Sequence, residues 1–222
     1  MTNPKFAGDQ KVGHSILTIP EKKLVAWGIP KIPAWMETYH LTMLTLLWSV
    51  GNAGFGYLAR QNLHWLWMVS LMIVLQYITD LYDGAIGRHR NTGLVKWGFY
   101  MDHFLDYIFM TSLVLAGYMI SPPGLGIWYV VLMILMGSFM ANSFLSFAAT
   151  NEFEIYYKGI GPTEMRIVFI LVNTVIIFTG TWHFIYTLPA VCLVMAVTLV
   201  YLVFRMHKRL WAIDMANKQT KT

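Results

Sequence analysis

The chain has 222 residues, 57% of them hydrophobic and 12% charged, with a formal net charge of +5 and a mean hydropathy of +0.53. This composition excludes an ordinary soluble domain and implies an integral membrane protein, with room for about six spans of ~20 residues and for no sizeable soluble domain. The single cysteine, Cys192, excludes an intrachain disulfide, and the clustering of positive charge next to apolar runs suits a membrane surface better than nucleic acid.

Residues 1–18 are mixed and polar and read as a mobile tail. Residues 19–37 alternate Lys22, Lys23 and Lys31 with Leu24, Val25, Trp27, Ile32 and Trp35, broken by Pro20, Pro30 and Pro33. That stretch is too interrupted to span, and its Lys/Trp pairing suits an amphipathic helix in the headgroup layer. Residues 1–37 are therefore expected to be a tail plus an interfacial segment. The first forty residues lack the pattern of a cleavable signal peptide, so the first span is expected to remain as an anchor.

Six apolar segments follow, centred near Leu47, Leu71, Phe109, Leu135, Val172 and Met195. Breaks fall at Ser121-Pro122-Pro123-Gly124 and at Gly159-Ile160-Gly161-Pro162. The expectation is an all-α six-span domain over 38–207, then a tail over 208–222. Trp48, Trp65, Trp67, Trp97 and Trp182 fall near predicted span ends and read as interfacial belt residues. Asn142, Ser143, Ser146 and Asn173 are intramembrane polar residues, read as interhelical hydrogen-bonding groups before cleft-lining ones.

Fifteen of the sixteen lysines and arginines lie in the N-terminal tail and lead-in, the second-to-third connection, the fourth-to-fifth connection and the helix start after it, or the C-terminal tail; only Arg60 lies on the other side. The positive-inside rule then puts both termini in the cytoplasm and makes the span count even. The second span ends on the cytoplasmic side near Asp80–Asp83, and the third starts there near Gly98.

The stretch Asp80–Asp106 carries two acid pairs, Asp80/Asp83 and Asp102/Asp106, spaced three and four apart. Either spacing puts both side chains on one helical face. A centrally placed aspartate costs roughly 2.5–3.5 kcal/mol to insert, so four converging acids call for cations between the helices. Carboxylate oxygens suit Mg²⁺, Mn²⁺ or Ca²⁺, and no Cys/His cluster suggests zinc. Four acids suffice for two metals ~3.5–4 Å apart, an arrangement that clamps a phosphoryl group during in-line displacement. Gly84 and Gly87 remove side chains where a base or diphosphate would approach the backbone, and Arg88 can bond phosphate in a bidentate manner. Intramembrane carboxylates also mark ion pathways, which makes a divalent-cation transporter the competing class. That class predicts acids through the membrane depth, whereas these cluster at one end.

Asp80, Asp83-Gly84, Gly87-Arg88, then nine residues, Gly98, Asp102 and Asp106 resemble the signature of the CDP-alcohol phosphotransferases. Gly87 stands where that family has alanine, which bears on pocket fit more than on chemistry. The resemblance extends to the six-span layout and the amphipathic lead-in. It implies that Asp80, Asp83 and Asp102, with Asp106 close by, ligate two divalent cations, Mg²⁺ or Mn²⁺. Asp106 would also take the proton of the attacking hydroxyl. Gly84, Gly87 and Gly98 would shape the cytidine diphosphate pocket, with Arg88 on the phosphates. The acceptor hydroxyl would attack the β-phosphorus of a CDP-alcohol and release CMP, on an enzyme of phospholipid synthesis that forms a homodimer.

Family members take either CDP-choline or CDP-ethanolamine with a diacylglycerol acceptor, or CDP-diacylglycerol with a soluble acceptor such as inositol phosphate, glycerol phosphate or serine. His103 and the Gly161-Pro162-Thr163-Glu164 sequence resemble the first branch. Glu164 would hold a cationic amino-alcohol or cap a helix start, and His103 would orient Asp102 or Asp106. Arg166 resembles an arginine of the second branch, where it meets the acceptor phosphate. Glu164 and Arg166, two apart, point to different sides. The reading leans to the amino-alcohol branch.

Overall fold

A computed structural model describes residues 11–12, 17–151, 153–154 and 161–219. Most of the expected polar tail, Lys158, Gly159, Ile160 and the last three residues lie outside that set. The described chain is helical apart from one two-residue parallel pairing of β1 (Lys11–Val12) with β2 (Phe153–Glu154). The helices are α1 (Thr18–Gly28), α2 (Thr38–Ala59), α3 (Leu66–Arg90), α4 (Val95–Met119), α5 (Gly126–Thr150), α6 (Pro162–Thr179) and α7 (Phe184–Gln219). Short 3₁₀ turns at Ile29–Lys31 and Leu63–Trp65 precede α2 and α3. Each apolar centre read from the sequence falls inside one of α2 to α7. The Ser121–Gly124 break separates α4 from α5, and Gly161 precedes Pro162 at the start of α6.

Four segments are long and apolar enough to cross a membrane by length and composition: Leu63–Arg90, α5, α6 and α7. Helices α2 and α4 fall short because each carries polar residues along its length. In α2 the buried residues are Thr38, Leu41, Thr42, Thr45, Ser49, Asn52, Gly56 and Ala59, a stripe of mostly small and polar groups at three- and four-residue spacing. Helix α4 carries Asp102, His103 and Asp106, all three half-buried. Polar and small residues at helix contacts are the expected glue of a bundle in lipid, where no hydrophobic driving force brings apolar side chains together.

Helix α2 is the hub, packed against both α3 and α4. At one end Gly56 sits directly on Ala116 of α4: a Cβ placed on Gly56 would lie 2.6 Å from the Ala116 Cβ and 2.7 Å from its Cα. Backbone cannot yield as a flexible side chain can. Gly56→Ala is therefore expected to lower stability by roughly 1–3 kcal/mol through forced separation of α2 and α4, read as a lower melting temperature in detergent. Near that contact an apolar cluster joins Ala59, Leu66, Val69, Val114, Leu125, Tyr129, Ile176 and Phe184. On the outer helices, α6 packs on α3, and α7 on α5. Asn173 donates to Ser70 across the α6–α3 contact at 3.1 Å, the interhelical bond expected of it.

The lead-in is fastened to α3. The Tyr82 hydroxyl donates to the Leu24 carbonyl at 2.8 Å, and the Tyr82 ring lies against Gly28, where any side chain would collide with it. Arg90, at the end of α3, donates to the carbonyls of Ile32, Pro33, Ala34 and Met36 at 2.6–3.3 Å. It thereby satisfies a prolyl-broken segment that has few internal bonds of its own.

One expectation needs correction. Trp48 is not at a span end: it lies midway along α2 and donates to Thr79 Oγ1 at 3.3 Å. The helix that carries the last apolar segment runs unbroken past residue 207 to Gln219. At ~1.5 Å per residue α7 is ~54 Å long, well beyond the ~30 Å hydrocarbon core. The basic residues Arg205, Lys208 and Arg209 thus ride on a continuous helix.

Candidate active site

The acid-bearing stretch is a helical hairpin. Helix α3 runs on past Asp80 and Asp83 to Arg90, so Gly84, Gly87 and Arg88 are all helical. Asn91 then takes the left-handed conformation (φ 51°) and Gly93 follows with φ 72°. The Thr92 N–H returns to the Gly87 carbonyl at 3.2 Å, closing the helix end. Helix α4 begins at Val95. Asp83 lies seven residues before the end of α3 and Asp102 seven residues after the start of α4, each ~10 Å from the turn. The hairpin therefore levels the two pairs with one another.

Asp80, Asp83 and Asp102 converge: one carboxylate oxygen from each lies within 4.8 Å of the others. Asp83 is the buried member. Its Oδ2 accepts from the Thr42 hydroxyl of α2 at 2.9 Å, and its carbonyl accepts from the Thr38 hydroxyl at 3.1 Å. Asp102 feels the charges of Asp80, Asp106 and Asp83. Asp106 stands outside the tight trio, and its Oδ1 accepts from Gln76 Nε2 at 3.0 Å. Arg166 reaches in from α6: Nη2 meets Asp80 Oδ2 at 2.7 Å and Nε donates to Gln76 Oε1 at 2.9 Å.

The donor set fits a hard divalent cation. All three groups are carboxylates, their spacing is that of oxygens around one cation at 2.0–2.6 Å, and three carboxylates against one guanidinium leave an excess of negative charge. Among the described residues this is the group of side chains spaced so that it could hold a cation.

The remaining expected residues are distributed around this centre. Arg88 is exposed and its guanidinium folds back over Gly84, whose missing Cβ would lie 3.3 Å from Nη1. Gly87 faces α2: a Cβ there would meet Thr38 Oγ1 at 2.9 Å. At the one position that departs from the alanine pattern, a methyl group would thus crowd the Thr38 hydroxyl. Gly98 has open space around its missing side chain. The His103 ring is tied to its own helix, with Nδ1 2.6 Å from the Phe99 carbonyl, and lies 4.0 Å from Asp102 Oδ2. A carbonyl only accepts, so Nδ1 carries the proton. Glu164 accepts from the Gly161 N–H at 2.8 Å, the capping arrangement for the start of α6. Arg166 alone of that pair enters the acid centre, as the two-residue spacing requires.

Sequence reasoning passed over Thr42, Gln76, Tyr77 and Glu21. Gln76 is one turn before Asp80 on the same face, and a buried amide inside a span was a legible signal. Thr42 belongs to the small polar stripe of α2. Tyr77 and Glu21 form a bridge outward: Glu21 Oε1 accepts from Tyr77 at 3.2 Å and from Thr163 at 2.7 Å, linking α1, α3 and α6. Asn142, Ser143 and Ser146 of α5 line a narrow cleft with Arg205 and Arg209 of α7.

No curated protein matches the chain. The sequence profile described as CDP-alcohol phosphatidyltransferase matches residues 38–204, three quarters of the chain and the whole of the acid-bearing hairpin. Members of that family are membrane-integral transferases of phosphate-containing groups that depend on divalent cations. With its carboxylate trio on a helical hairpin inside an all-helical membrane protein, this chain belongs to the CDP-alcohol phosphatidyltransferase family.

Proposed function

We propose that the chain transfers a substituted phosphate from a CDP-alcohol to an alcohol acceptor in phospholipid synthesis, releasing CMP, at a two-cation site open to the cytoplasm. The observation that carries this reading is the convergence of Asp80, Asp83 and Asp102 within 4.8 Å, with Asp106 one helical turn beyond. Asp80, Asp83 and Asp102, with Asp106 close by, would hold two Mg²⁺ or Mn²⁺ ions, which supply positive charge to the diphosphate and to the departing CMP. Asp106 accepts the proton of the attacking hydroxyl, whose oxygen bonds the β-phosphorus as the bond to CMP breaks. Gly84, Gly87 and Gly98 leave room for the nucleotide, and Arg88, exposed at the hairpin end, swings from Gly84 to the phosphates.

In this reading α2 to α7 are six spans and both termini are cytoplasmic, supported by the segregation of Lys and Arg. Helix α1 and the segment that follows it lie in the headgroup layer, supported by the exposure of Ile19, Leu24, Trp27 and Trp35 beside Lys22, Lys23 and Lys31. Homodimerisation follows from the family resemblance.

The donor is CDP-choline or CDP-ethanolamine and the acceptor a diacylglycerol, on the strength of His103 and the Gly161–Glu164 sequence. One observation favours a second reading, CDP-diacylglycerol with a soluble phosphorylated alcohol: Arg166 is aimed into the acid centre, where an acceptor phosphate would exchange for Asp80. A donor comparison with purified protein separates them. CMP release from CDP-choline or CDP-ethanolamine with diacylglycerol is the expected result. Release from CDP-diacylglycerol alone would replace the branch and leave the reaction standing.

A further inference from the structure

Gln76 is 1% exposed, in the middle of an apolar helix. A buried amide is destabilising unless its hydrogen bonds are made, and Leu or Met would fill the space without that penalty. Both of its ends are used. Oε1 accepts from Arg166 Nε at 2.9 Å and Nε2 donates to Asp106 Oδ1 at 3.0 Å. The orientation of the amide is forced, since a guanidinium only donates and an ionised carboxylate only accepts. Arg166 continues the chain to Asp80 at 2.7 Å. Asp106 on α4, Gln76 and Asp80 on α3 and Arg166 on α6 thus form one line of hydrogen bonds across three helices.

We infer that Gln76 is a positioning residue for the transfer reaction: it fixes the plane of the Asp106 carboxylate and hands the same geometry to Arg166. The inference rests on the reading of Asp106 as the proton acceptor. A carboxylate on a two-torsion side chain, bonded at one oxygen to a rigid amide, presents the other in a defined direction. The amide does so without adding charge beside the acid centre. A lysine here would neutralise Asp106, and a carboxylate would repel it. Only a neutral group with a donor at one end and an acceptor at the other serves both partners.

Two variants test this. Gln76→Glu keeps the acceptor for Arg166 but removes the donor and sets a second carboxylate against Asp106. Gln76→Met keeps the volume and removes both contacts. Each is expected to lower kcat about 100-fold, the scale of a ~1 Å misplacement of a reacting group, with KM for the CDP-alcohol unchanged. Direct calorimetric binding of CDP is expected to fall far less than kcat, because Gln76 reaches Asp80 through Arg166 rather than directly. If Gln76→Met fails to fold with Arg166 Nε unpaired, Gln76→Glu decides alone. A folded Gln76→Glu protein with wild-type kcat overturns the inference and leaves the proposed reaction intact. So does a kcat loss matched by an equal loss of CDP affinity, which would mark general disruption. A wild-type chain that releases no CMP from any donor overturns the reaction itself, and this inference with it.

Discussion

Asp106→Asn is expected to lower CMP release by about 10²–10⁴-fold, the range a positioned general base contributes, while nucleotide affinity and melting temperature stay close to wild type. The substitution keeps size and shape, and its amide oxygen still accepts from Gln76 Nε2 as Asp106 Oδ1 does. What is lost is the capacity to take a proton from the acceptor hydroxyl. Steady-state CMP release with CDP binding by calorimetry makes the check. Normal turnover would remove Asp106 from the base role and shift attention to the trio.

Asp83→Asn is the second large effect, and it separates a metal centre from a polar network that only holds helices together. Asp83 is buried beside Asp80 and Asp102, with carboxylate oxygens within 4.8 Å. Two charges at that distance repel by about 3 kcal/mol at an effective dielectric of 20. Removing the Asp83 charge is therefore expected to leave the metal-free protein as stable as wild type or more so. The Thr42 hydroxyl keeps an oxygen to donate to, as it does to Asp83 Oδ2. Mn²⁺ binding, followed by electron paramagnetic resonance, is expected to weaken by at least the 10–100-fold typical of a disturbed metal environment, and turnover to vanish. A helix-holding network predicts the opposite pattern: lower stability in the absence of metal and little change in Mn²⁺ binding.

The parts of this fold that depend on local chemistry were legible in the sequence. Apolar runs marked six helices, Pro and Gly marked their breaks, and the spacing of Asp80, Asp83, Asp102 and Asp106 fixed which faces carry acids. What depends on neighbours was not legible. Trp48 looks like a belt residue by composition, yet α2 packs against α3 and the Trp48 indole bonds Thr79 mid-helix. Gly87 reads as space for a ligand, but its missing side chain also makes way for Thr38 across a helix contact. Gln76 carries no motif, and its significance appears only when α4 and α6 bring Asp106 and Arg166 to its two ends. Glu164 and Arg166 show the intermediate case. Their two-residue spacing separates them, but only the packing of α6 on α3 shows that Arg166 is the one turned to the acids.

A divalent-cation pathway remains the physical rival, because converging carboxylates at a membrane face serve either purpose. The two accounts part on whether a nucleotide is consumed. The direct measurement is CMP release by purified protein supplied with Mg²⁺ or Mn²⁺, a panel of CDP-alcohols and their acceptors, with and without chelator, and with ion flux followed in liposomes of the same preparation. The account predicts CMP formation that needs both donor and acceptor, stops with chelator, and occurs with no ion flux. Folded protein that releases no CMP across the panel, while passing divalent cations without nucleotide, would contradict it.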